Sequence, residues 1–131
     1  MALPRRMRRM NRDGFNRLAV HVAPWLPGMG VVVHRGRRSG RAYRTPVMVF
    51  RHADRLVIAL PYGTDTDWLR NVRAAAGASV VTRRRTLHVV DPHLVHDPER
   101  ASVPAPVRLA LAGLHVDDFL VTRVVDGPPT A

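Results

Sequence analysis

The residues best equipped for chemistry lie between two apolar, β-branched runs, Val31-Val32-Val33 and Val47-Met48-Val49-Phe50. The connection reads Gly36-Arg37-Arg38-Ser39-Gly40-Arg41-Ala42-Tyr43-Arg44-Thr45-Pro46. Guanidinium forks match the oxygens of an anion in pairs, and glycines let backbone N–H groups approach the same anion. Strand, basic loop, strand is therefore the pattern of an anion-binding turn. A solvated basic hairpin has the same spacing.

Other chemistries find little support. With no cysteine, disulfides, thiol catalysis and cysteine–metal sites are excluded. Lysine is absent too, which removes a phosphate-loop NTPase. Ser39 sits in Arg37-Arg38-Ser39-Gly40-Arg41, which is no nucleophile elbow. Gly28-Met29-Gly30 lacks the third glycine of a dinucleotide fingerprint and opens a strand rather than a helix. His88, His93 and His96 lie close in sequence, but Pro92 interrupts their strand and no Cys or Glu completes a metal set. His115 is a candidate proton donor.

The chain of 131 residues is long enough for one domain with one core. Its net charge of +11, carried entirely by arginine on the basic side, implies anionic partners. Nucleic acid is not among them, because aromatic residues make up 5% of the chain and form no stacking platform. The stretch 18–34 is broken by Pro24, Pro27, Gly28 and Gly30, too often for a membrane span. Residues 1–22 have the charge of a signal peptide without its apolar centre, so a cytoplasmic protein is expected.

The elements that must position the loop follow from periodicity. Residues 1–23 form a basic amphipathic helix that either packs on the domain or touches an anionic membrane surface. Strands are expected over 30–35, 44–51, 55–60, 78–83, 86–95 and 119–125. A helix after Thr64-Asp65-Thr66-Asp67 carries Trp68, Leu69, Val72 and Ala76 on one face and closes at Gly77. A broken helix spans 98–114, with Pro106 at its first position. Residues 126–131 are a tail. The fold class is mainly β: about six antiparallel strands closed as a small barrel, with two or three peripheral helices.

At this point two blocks carry a resemblance. Gly36-Arg37-Arg38-Ser39-Gly40 with Arg44-Thr45-Pro46 is followed by Ala59-Leu60-Pro61-Tyr62-Gly63 and then Asp67-Trp68-Leu69-Arg70-Asn71. In order and separation these are similar to the deazaflavin-dependent nitroreductase family of actinobacteria. The similarity covers residues 28–97 well. It implies a split β-barrel of the FMN-binding type that uses coenzyme F-420, rather than FMN, as hydride donor. On that resemblance, Arg37, Arg38 and Ser39 hold the coenzyme's phosphate. Tyr43, Arg44, Thr45, Pro46, Val47 and Met48 line it, largely through backbone. Ala59, Leu60, Pro61 and Tyr62 run beside the ring, and Asp67, Trp68, Leu69, Arg70 and Asn71 flank it. Asp65 and Asp67 would repel a phosphate at the helix start, which assigns the phosphate to the arginine loop.

The chain departs from that family at its end. Nitroreductive members carry C-terminal tyrosines, whereas this chain has none after Tyr62 and offers Leu111, Leu114, His115, Phe119 and Leu120. An apolar acceptor such as a quinone or an enone is expected, with a nitro compound less suited. A catalytic side chain and a metal are not expected, since hydride transfer needs neither. The alternative is a split-barrel protein that binds FMN, haem or a fatty acyl ligand without turnover. A homodimer is the expected assembly.

Overall fold

The structure is a computed structural model that describes residues 28–125. The helix expected over 1–23 and the tail over 126–131 lie outside the described residues. Six strands and two helices follow in the order β1 (Met29–Arg35), β2 (Ala42–His52), β3 (Arg55–Ala59), α1 (Asp67–Ala75), β4 (Gly77–Thr82), β5 (Arg85–His96), α2 (Ala105–Gly113) and β6 (Asp118–Val125). The strands close as an antiparallel barrel in the order β1-β2-β3-β6-β5-β4. The fold class expected from periodicity is the one observed.

Strand alternation sorts the apolar side chains into two layers. Val32, Val47, Val49, Leu56, Ile58, Val80, Val89 and Leu120 point inward, where Leu69 and Val72 of α1 join them. That helix packs against β1, β4 and β5. Phe50, Val57, Ala59 and Phe119 point outward and are covered by Val103, Leu111 and Val116 in and around α2. Burial of side chains this size contributes roughly 1.5–3 kcal/mol each, which is why both helices are held to the barrel.

Three local expectations are corrected. Helix α1 is closed by Ala76, which follows its last helical residue in the left-handed conformation at φ 57°, and not by Gly77. Gly77 opens β4 instead, where an added Cβ would lie 2.7 Å from the Val89 carbonyl oxygen. Its lack of a side chain serves a close strand approach and not a helix cap. Pro92 does not break β5. The strand passes through it with a register shift between Val90 and His93, the arrangement in which a sheet tolerates proline. In α2, helical residues begin at Ala105, so Pro106 falls at the second position, where its missing N–H is still of no consequence.

Candidate cofactor site

The barrel parts between β2 and β3. Residues 42–48 of β2 pair with β1, whereas pairing with β3 covers only 49–52 and stops at Val49 opposite Ile58. Beyond that point β3 stays with β6: Ala59 pairs with Phe119, and the Leu60 N–H bonds to the Asp118 carbonyl at 3.0 Å. The first half of β2 is therefore left without a strand partner on its outer side, among the described residues. Pro46 sits in that half, where a missing N–H is tolerated. Both stretches assigned to the coenzyme, 43–48 and 59–62, border this split.

At one end of the split stands the arginine loop, a tight turn wired by its own backbone. The Gly36 N–H bonds to the Arg41 carbonyl at 2.8 Å, and the Gly40 N–H to the Gly36 carbonyl at 2.9 Å. A Cβ on Gly36 would overlap the Ser39 hydroxyl. Gly40 holds φ 71°, a conformation glycine adopts without strain. The Ser39 hydroxyl oxygen accepts from the Arg41 N–H at 3.2 Å and lies 3.4 Å from the Tyr43 hydroxyl.

The arginines of this loop divide into two kinds. Arg37 is turned onto α1: its backbone N–H and its guanidinium donate to Asn71 Oδ1 at 3.1 and 2.8 Å, and its fork lies 3.6 Å from Asp67. Arg38, Arg41 and Arg44 are exposed, as is Arg70 on α1, and their guanidinium groups have no hydrogen-bond or ion-pair partner among the described residues. Arg37 thus fastens the loop to the helix and relieves the charge of Asp67, while its neighbours remain open to an anion.

Behind the loop lies a histidine that sequence reasoning missed. His34 is 6% exposed at the end of β1. Asn71 Nδ2 donates to its Nδ1 at 3.1 Å, its Nε2 lies 3.0 Å from Thr45 Oγ1, and its ring stacks on Tyr43 with centroids 5.8 Å apart. Burial lowers its pKa below the ordinary 6.5. The missed signal was period: His34 lies two residues after Val32 and so shares its inward face. Arg37, Asn71, His34, Thr45, Tyr43 and Ser39 accordingly form one contact network.

Other expected site residues are placed differently. Leu60, Leu69 and Val47 bury their side chains in the barrel, and Ala59 faces the layer beneath α2. Their side chains are therefore closed off from the split. Trp68 packs in part on the barrel interior, Met48 in part on the outer layer, and Pro61 and Tyr62 are exposed on the turn after β3. The C-terminal apolar set is corrected more strongly. Leu111, Phe119 and Leu120 are core, and Leu114 is 62% exposed, so they line no pocket together. A cavity of about 550 Å³ does exist, lined by Arg51, His52, Leu87 and Val107 among others. It opens at the far end of β2, six residues or about 20 Å along the strand from Thr45.

The donor set fits an anionic coenzyme. Unpaired guanidinium groups surround the turn, and Thr66 Oγ1 at the start of α1 is buried without a partner among the described residues. An antiparallel barrel split at β2, with an arginine-rich turn at the split, is an architecture suited to a flavin- or deazaflavin-binding oxidoreductase. The profile of the F420H(2)-dependent quinone reductase family matches residues 7–123, and the chain belongs to that family of F-420-dependent reductases. Coenzyme F-420 is its cofactor. Among curated proteins, no sequence matches the chain.

Solved structures agree at the level of fold. A domain-swapped dimer superposes with a TM-score of 0.55 at 16% identity, covering 89% of this chain and 96% of that one. An F420 reductase gives 0.51 at 15% identity, covering 80% and 92%. A protein from Clostridium acetobutylicum related to general stress protein 26 of the pyridoxinephosphate oxidase family gives 0.50 at 13%, covering 75% and 74%. Among the described residues no helix is long and apolar enough to cross a membrane.

Proposed function

We propose that this protein transfers hydride from reduced F-420 to a small apolar acceptor, a quinone or an enone. The observation that carries the reading is the division of the arginine loop, with Arg37 locked to Asn71 and Asp67 and with Arg38, Arg41 and Arg44 beside the split unpaired among the described residues. When bound, the coenzyme supplies the hydride, and the protein's part is to hold and shield it. Arg38, Ser39 and Arg44 grip its anionic groups. The free edge over Tyr43–Met48 offers backbone donors and acceptors to its ring, Ala59–Tyr62 borders the opposite side of the split, and Trp68 and Arg70 in the first turn of α1 flank the coenzyme.

The acceptor class rests on the family and on what the chain lacks. After Tyr62 there is no tyrosine to donate to an anionic nitro intermediate. A homodimer belongs to the same reading, because residues 42–48 leave a strand edge that a second copy could border. The test is oxidation of reduced F-420 by a quinone, an enone and a nitroimidazole at equal concentration, followed by absorbance. Fastest turnover is expected with the quinone or the enone. A nitroimidazole as the best acceptor would overturn the acceptor class.

A further inference from the structure

The network behind the loop has a direction, and the direction follows from donor chemistry. Asn71 Oδ1 accepts two N–H groups from Arg37, one from the backbone and one from the guanidinium. Its amide nitrogen is therefore the atom that faces His34, and an NH₂ group can only donate. His34 Nδ1 must then be the bare, accepting nitrogen, which puts the ring proton on Nε2. That N–H points at Thr45 Oγ1, 3.0 Å away, and occupies a lone pair of the hydroxyl. The hydroxyl hydrogen is left over. No other partner for it exists among the described residues, although Thr45 is half-buried beside the split.

Each link donates forward, from the Arg37 cation through Asn71 and His34 to Thr45. Chains aligned in this way polarise one another, so the final O–H is a better donor than an isolated hydroxyl. Burial, which disfavours the charged imidazolium, keeps the ring in the neutral form that the chain requires. The stacked Tyr43 ring restrains rotation of the imidazole.

We propose that His34 is a positioning residue that commits the Thr45 hydroxyl to donating a hydrogen bond to an oxygen of the bound coenzyme. This rests on the F-420 reading above and assigns a role to a side chain outside both motif blocks. Since that oxygen could belong to the ring or to the phosphate, binding is compared for F-420 and for its phosphate-free deazaflavin riboside.

Two measurements test it. Ring nitrogen NMR of the free protein near neutral pH should show protonated Nε2 and bare Nδ1 for His34. Dissociation constants for oxidised F-420, read by fluorescence, should form a coupled cycle. Thr45→Val and His34→Leu should each weaken binding about fivefold, and the double variant no more than either alone. His34→Gln, which can accept at one atom and donate at the next, should restore most of the affinity, as should Thr45→Ser. Loss shared by the riboside places the oxygen on the ring, and loss confined to F-420 places it on the phosphate; either supports the role. Additive losses with unimpaired wild-type binding, or an Nδ1-protonated ring, would overturn this inference alone. Failure of wild-type protein to bind F-420 would overturn the coenzyme reading and this inference with it.

Discussion

Arg37 and Arg38 are adjacent in sequence yet have different partners, and substitution should separate them. Arg38→Ala removes an unpaired guanidinium and should weaken F-420 binding about tenfold, the low end for a charge-assisted contact because the residue is exposed. Arg38→Lys should recover only part of that, since an ammonium cannot form the fork. Thermal stability should be unchanged in both, and fluorescence titration with a melting curve reads the two effects. A stability loss equal to the affinity loss would mean that Arg38 is structural. His34 gives a second prediction. Its pKa is lowered in the folded protein, so below 6.5 the unfolded chain binds a proton that the folded chain resists. Its contribution is complete above 6.5 and is lost as pH falls through its folded value. Arg37 on the loop adds a cation behind Asn71, and Asp67 beyond it offsets that charge. His96, raised by its hydrogen bond to Asp118 and fully exposed, acts in the opposite sense, its contribution fading as pH rises. The difference between wild type and His34→Gln isolates His34. Urea midpoints at about pH 5 and about pH 7.5 should differ more for wild type than for the variant. An equal difference would refute it.

At the scale of elements, the helix–strand junction after α1 shows what sequence could and could not convey. The helix itself was legible, because Leu69 and Val72 recur at its period and Thr66 precedes its first turn. Its end was not, because Ala76 and Gly77 each satisfy a rule that favours glycine. The left-handed turn falls on Ala76, while Gly77 is held small by the Val89 carbonyl from β5, a contact distant in sequence. Opposite outcomes follow for neighbouring substitutions. Ala76→Gly should raise stability by up to about 1 kcal/mol by relieving the positive φ, partly offset by unfolded-state entropy. Gly77→Ala should lower it by about 1–3 kcal/mol, since backbone and not a flexible side chain stands in the way. Denaturation in urea measures both, and a stabilising Gly77→Ala would contradict the assigned contact. The same limit explains the C-terminal misreading. Leu111 and Leu114 share a helical period, but which of them reaches the barrel depends on where α2 lands, and only Leu111 does. His34 was hidden in another way: its inward direction was readable from Val32, but the partner that gives it meaning, Asn71, lies 37 residues away.

For the molecule as a whole, the central claim is that a strongly cationic barrel opens at β2 to hold an anionic deazaflavin. The net charge of +11 acts at long range and is screened by salt, whereas the unpaired guanidinium groups act at contact. F-420 carries a phosphate and a polyglutamate tail and is more anionic than FMN, so both terms favour it. The decisive measurement is a fluorescence titration of wild-type protein with oxidised F-420 and with FMN, at low and at physiological salt. Tighter binding of F-420 at each salt, with affinity that weakens as salt rises and a smaller salt effect for FMN, is the predicted result. Tighter binding of FMN at equal ionic strength, or F-420 affinity indifferent to salt, would contradict the account.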